Sequence, residues 1–161
     1  IVWPDGSAMN LLGFRLAFAD AIPVEIEPAT HIRVASLRSI VVPKMSAYLD
    51  KPWERETDLA DIAHILQAFV GIDVEERWSP EVVELDLDYD DVGPYMLGTQ
   101  LAAVVNESES ALIRRFLSSL EDETDGLATL RRMAHRAPAG LRDTDSLRSR
   151  VRAFGRGLGA Q

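Results

Sequence analysis

Residues 31 to 70 read HIRVASLRSIVVPKMSAYLDKPWERETDLADIAHILQAFV. The stretch parses as a strand, a helix, a short charged linker and a second helix. Ser36 precedes an apolar run and suits an N-cap, where its hydroxyl accepts an orphan backbone N–H. At about 100° per residue, Leu37, Ile40, Val41, Met45 and Tyr48 fall on one side of the first helix. Lys44 falls inside that arc, and Pro43 predicts a kink or restart because it removes a helical hydrogen bond. In the second helix Leu59, Ile62, Ala63, Leu66, Phe69 and Val70 form the apolar face. Asp58 sits on the boundary of that face, while Asp61 and His64 turn further towards water. Lys44 and Asp58 therefore meet at the rim of one packed helix pair. They form either a chemical site or two ordinary residues, a snorkelling lysine and a first-turn acid favoured by the helix dipole.

Working outward, NLLGFRLAFADA (10 to 21) has helical spacing with Asn10 as cap. PVEIEP alternates, with Val24 and Ile26 on one face and Glu25 and Glu27 on the other. With HIRVA it predicts a short antiparallel hairpin. Its two glutamates are spaced like a metal pair, but alternating acids also suit the solvent face of a half-exposed sheet. His31 has no second His or Cys at zinc-ligand spacing.

Beyond the helix pair, Gly71 ends the second helix. Ser79-Pro80-Glu81 starts another, with Ser as N-cap and Pro in the first turn. DLDYDD (86 to 91) contains Asp-x-Asp but lacks the glycine and glutamate of a calcium loop, so Asp86, Asp88, Asp90 and Asp91 read as linker and cap. A helix over 90 to 105 carries Gly93-Pro94 in its first turn. Ser108 opens a further helix to about Leu120, with Leu112, Ile113, Phe116, Leu117 and Leu120 as its stripe. Gly126 marks a break before residues 127 to 135, and Pro138 to Gly140 a linker. A last basic helix over 144 to 155 is followed by a frayed RGLGAQ tail.

The 161 residues suit one domain, long enough to bury about 70% of the unfolded surface. No apolar run is long enough to cross a bilayer. The chain has no Cys, which excludes disulfides and thiolate chemistry and is compatible with a cytoplasmic location. Its net charge of −9 argues against a freestanding nucleic-acid binder. The charge is uneven, however. Residues 73 to 125 are acid-rich, and eight arginines lie between 131 and 156. Those arginines either track a nucleic-acid backbone or pair with the acidic stretch.

WPDGSAMNLLGF followed by IRVASLRSIVVPKMSAYLDKPWERETDLADIAHIL resembles the later part of the AbiEii-type nucleotidyltransferases. That family contains many toxins of toxin–antitoxin pairs. Its pattern is a hairpin, a small residue plus Ser-Leu, a helix with a lysine, then Arg-x-x-Lys/Arg-Asp-x-x-Asp opening the next helix. The lysine falls on Lys44, the arginine on Arg55 and the acids on Asp58 and Asp61. Thr57 departs from the basic position. The resemblance covers about residues 1 to 70.

The resemblance implies transfer of a nucleotide from an NTP with Mg²⁺, onto an RNA such as tRNA, and an antitoxin partner. Lys44 would neutralise phosphate charge and Asp58 would orient it or act as base. Arg55 and Asp61 would bind substrate or support the site. The family's Gly-Ser loop and strand-borne Asp-x-Asp, which hold the metal, do not occur before residue 31. Gly6-Ser7 has no such successor. With Ile1 in first place, this predicts a C-terminal piece of a longer protein whose metal-binding acids lie elsewhere.

The expected fold is α+β and mainly helical, with the hairpin completing a truncated nucleotidyltransferase sheet. Residues 1–70 are expected to be the later part of the transferase domain, 71–137 a helical extension and 138–161 a basic helix and tail. The alternative is a catalytically inactive helical interaction module in which Lys44 and Asp58 are a structural pair.

Overall fold

The computed structural model describes residues 1, 4, 10–69, 75–137 and 143–159. Gly6-Ser7, Val70, Gly71, the linker at 138–140, Arg142 and the last two residues lie outside these. The chain is mainly helical, with one two-stranded antiparallel ribbon near the N-terminus.

Helix α1 runs Phe14–Ala19, shorter than its sequence spacing predicts. Asn10 does not cap it. The Asn10 side chain instead accepts the Leu12 N–H at 3.0 Å, a local turn that competes with helix. Gly13 takes the N-cap with φ of 88°, and a Cβ there would stand 2.8 Å from Pro43 Cδ. Both the left-handed backbone and the close approach require glycine.

Strands β1 (Ile22–Glu27) and β2 (Thr30–Val34) form the predicted hairpin. Ile22 pairs with Val34 and Val24 with Ile32, and a register shift lies between Glu25 and Glu27. The expected half-burial is not found: every residue of both strands is exposed. Among the described residues no third strand pairs with the ribbon, and Ile22, Val24, Ile26, Ile32 and Val34 are exposed. Glu25 and Glu27 are both exposed, and Glu25 Oε1 accepts the Ala29 N–H at 3.2 Å across the turn.

Helix α2 (Leu37–Asp50) begins at Ser36, whose hydroxyl accepts the Ser39 N–H at 3.2 Å. It continues through Pro43 rather than restarting. The proline is buried against Gly13, and that packing offsets the lost hydrogen bond. Leu37, placed on the apolar side by periodicity, is exposed, and Val42 is fully buried in its stead. Helix α3 (Glu56–Ala68) buries Leu59, Ile62, Ala63, Ile65 and Leu66 in the core, where it packs against α2 and also against the later helices.

A short 3₁₀ turn (Glu75–Trp78) precedes α4 (Pro80–Val83), which Ser79 caps as predicted. Helix α5 is Tyr89–Ala102, so Gly93-Pro94 falls in its second turn. Helix α6 (Glu107–Glu121) starts on a capping box between Asn106 and Glu109, one residue ahead of the predicted start, and buries the predicted stripe. Helix α7 is Asp125–Arg136, and Asp122 Oδ1 accepts the Thr124 and Asp125 N–H groups at its start. Helix α8 (Thr144–Gly157) outruns its predicted end. Arg156 and Gly157 are therefore packed helix rather than frayed tail, because Gly157 lies against the Tyr95 carbonyl.

One hydrophobic core runs from Leu16 through Leu66, Leu97 and Phe116 to Phe154. Helices α5 and α8 pack most extensively.

The ribbon is tied down at its base. Arg38 Nε reaches Asp20 Oδ2 at 2.9 Å, and Ser36 Oγ donates to the same carboxylate. The Arg38 hydrogen bond holds the Asp20 carboxyl below its ordinary range against the opposing effect of burial, and Ser36 adds to it. A lowered folded-state pKa means stability that is present above the unfolded value of 3.8 and lost as pH falls through the folded one. Asp20→Asn is therefore expected to lower the melting temperature at neutral pH and flatten the acid limb of a pH series below 3.8. An unchanged acid limb would contradict this.

Candidate functional site

Lys44, at the middle of α2, extends across to the first turn of α3. Its Nζ stands 3.2 Å from Asp58 Oδ1 and 2.5 Å from Asp61 Oδ2. The two aspartates are three residues apart, so they share one side of the helix. The periodic reading placed Lys44 and Asp58 at a common rim, and the two do meet there. It turned Asp61 towards water, and half of its side chain is exposed, yet Asp61 makes the shorter contact. The lysine stem is long enough to carry the ammonium past the helix boundary.

Burial pulls the Lys44 ammonium towards deprotonation, but hydrogen bonds and charge from Asp61 and Asp58 outweigh it. The net effect is a pKa above the ordinary lysine value of 10.5. Lys44 is a fixed cation at neutral pH. Asp58 is 9% exposed, and its second oxygen, Oδ2, is buried without a partner. Such an orphan acceptor carries a desolvation cost that a hydroxyl or N–H donor would relieve.

Arg55 is not drawn into this cluster. It is exposed at the N-cap position of α3, and its side chain makes no hydrogen bond or ion pair with the described residues. The residues present do not fit a magnesium site. Lys44 occupies one oxygen of each aspartate with positive charge, and no group of three His, Cys, Asp or Glu stands together among the described residues.

A second cluster flanks the start of α3 and escaped the sequence reading. Glu56 pairs with Arg136 at 2.7 Å and with Arg132 at 3.8 Å. The Arg132 guanidinium also lies 5.9 Å from the ring centre of Trp53, which is 84% exposed. The exposed tryptophan in KPWERE was the available signal.

The DLDYDD stretch is more than a solvated linker. Asp86 and Asp88 are exposed, and Asp88 occupies the N-cap position of α5. Asp90 pairs with the buried Arg150 at 2.8 Å, and buried Asp91 accepts from Ser149. These bonds fasten the start of α5 to α8. Of the other basic residues, Arg148 contacts Asp145 at 3.8 Å, and Arg156 donates to the Leu85 carbonyl at 3.4 Å. Internal pairing thus takes up several of the C-terminal arginines, with the acid-rich stretch supplying Asp90 and the Leu85 carbonyl.

Among the described residues no helix is long and apolar enough to cross a membrane. Comparison of the chain with known protein families, with curated proteins and with solved structures returns no match.

Proposed function

We propose that this chain is the helical part of a nucleotidyltransferase that moves a nucleotide from an NTP onto an acceptor hydroxyl, with RNA such as tRNA as the acceptor. The observation that carries the reading is the Lys44 ammonium held between Asp58 and Asp61 with one buried Asp58 oxygen left without a donor. In this reading Lys44 turns part of its charge to the phosphates as a compact cation. Once the α2–α3 rim opens to admit the acceptor, the buried Asp58 oxygen takes the proton from the attacking hydroxyl as its oxygen bonds to the α-phosphorus and pyrophosphate leaves. Asp61 keeps Lys44 in place when Asp58 gains the proton. The metal is held by residues outside those described.

The exposed aliphatic face of the hairpin gives separate support. A two-stranded ribbon is marginal in water by itself. The paired apolar side chains of Ile22 with Val34 and Val24 with Ile32 share one exposed face and fit a sheet that continues beyond β1 and β2. A cognate antitoxin would be the protein partner of such an enzyme.

One feature favours a second reading, a catalytically inactive interaction module. Two carboxylates around one ammonium leave the cluster net negative, which opposes a triphosphate. In that case Lys44, Asp58 and Asp61 only join α2 to α3. Incubation with each labelled NTP, Mg²⁺ and total RNA separates the two. A longer protein containing this chain is expected to label RNA, and residues 1–161 alone are not. No incorporation by the longer protein with any of the nucleotides would sink the transferase reading.

A further inference from the structure

A groove of about 930 Å³ lies between α6 and α8, on residues that neither the Lys44 cluster nor the core uses for polar contacts. Arg148, Arg152 and Arg156 line it from α8. They are spaced i, i+4 and i+8, so they rise along one face in steps of about 6 Å. Arg114 lines it from α6. Arg114 and Arg152 are exposed, and neither makes a hydrogen bond or ion pair with the described residues. The Arg148 contact with Asp145 is long at 3.8 Å and lies at an exposed partner, and Arg156 spends one N–H on the Leu85 carbonyl at 3.4 Å and keeps the rest of its guanidinium for a ligand. The buried residues Leu117, Leu130 and Val151 contribute an apolar lining. At the turn between α6 and α7 the exposed Glu121, Asp122 and Glu123 complete the rim without pairing to any of these arginines, and Asp122 also accepts the Thr124 and Asp125 N–H groups.

We propose that this groove docks a short acidic amphipathic helix of a partner protein. Three features select that occupant. The arginine row on α8 matches carboxylates repeating every fourth residue on a facing helix. The apolar lining needs apolar side chains beside those carboxylates. The glutamate lip repels a polyanion but accepts a basic residue at the end of the docked segment, so a segment of mixed charge fits where an RNA backbone does not. The site is independent of the transferase reading, since it shares no residue with the Lys44 cluster.

The test uses the full chain and a labelled synthetic helical peptide of about the length of α8. The peptide carries Glu at every fourth position, Leu on the adjoining stripe and Lys at one end. Fluorescence anisotropy at about physiological salt is expected to show saturable micromolar binding. Arg152→Glu with Arg156→Glu should weaken it at least about tenfold and create binding of a peptide with Lys in place of Glu. Arg114→Glu alone gives a second check, because that side chain has no internal partner to lose. Circular dichroism establishes that each variant is folded. Absence of binding, equal binding by the reversed variant, or tighter binding of an oligouridylate that displaces the peptide would each overturn the proposal.

Discussion

Gly98→Val is expected to lower the stability of the chain by at least about 3 kcal/mol, an overpacking effect at the upper end of what one side chain causes. Helices α5 and α8 approach so closely that a Cβ on Gly98 would stand 2.2 Å from the Phe154 carbonyl oxygen. Reciprocally, a Cβ on Gly157 would stand 2.1 Å from the Tyr95 carbonyl oxygen. The obstructing atoms are backbone, so no rotamer change relieves the clash and the helices must separate. Separation also strains the Asp90–Arg150 and Asp91–Ser149 links. Gly155→Ala on the same helix is the control. Its Cβ meets only the end of the Leu117 side chain at 3.4 Å. Replacing a helical glycine there should be neutral or stabilise by up to about 1 kcal/mol. Thermal melting should separate the two variants by roughly 6–12 °C or more for a chain of this size. Equal melting temperatures would contradict the close α5–α8 packing.

Much of this fold is written locally. Ser36 and Ser79 each accept a backbone N–H at a helix start, and such caps are legible because donor and acceptor lie three residues apart. The α6 stripe is equally plain, since five apolar residues at helical spacing have one way to be buried together. The hairpin was readable from alternation, but its exposure was not. Alternation states which residues share a face, and only tertiary structure decides whether anything covers that face. Asn10 misled for a local reason, because its side chain serves a turn as readily as a helix cap.

The site divides in the same way. Lys44 and Asp58 meet because two apolar stripes fix the facing sides of α2 and α3, which periodicity shows. Asp61 was underestimated because a helical projection describes Cβ directions, while a lysine reaches several ångströms beyond its own. The Arg150–Asp90 and Ser149–Asp91 pairs span 60 and 58 residues. No local pattern links such partners, so one half read as solvated acids and the other as a basic helix.

Lys44→Met keeps the apolar stem and removes the ammonium. Asp58 is then left buried with neither oxygen paired, beside a second carboxylate. Breaking a fully buried pair costs several kcal/mol, but half of the Asp61 side chain is exposed and can turn to water. The stability loss is therefore expected near 1–2 kcal/mol. Asp58→Asn keeps the shape and should cost roughly 1 kcal/mol or less, and the double variant should recover part of the Lys44→Met loss. Those stability changes accompany either function. Chemistry separates them, because loss of one positioned electrostatic group slows a reaction by at least about a hundredfold. Asp61→Asn should slow it less, since Asp58 still holds Lys44. The most direct measurement is the initial rate of labelled-nucleotide transfer by a protein that contains this chain together with metal-binding acids and carries Lys44→Met, at a temperature where circular dichroism shows it folded. A rate reduced at least about a hundredfold is the predicted result, and a wild-type rate would contradict the assignment of Lys44 to the chemistry.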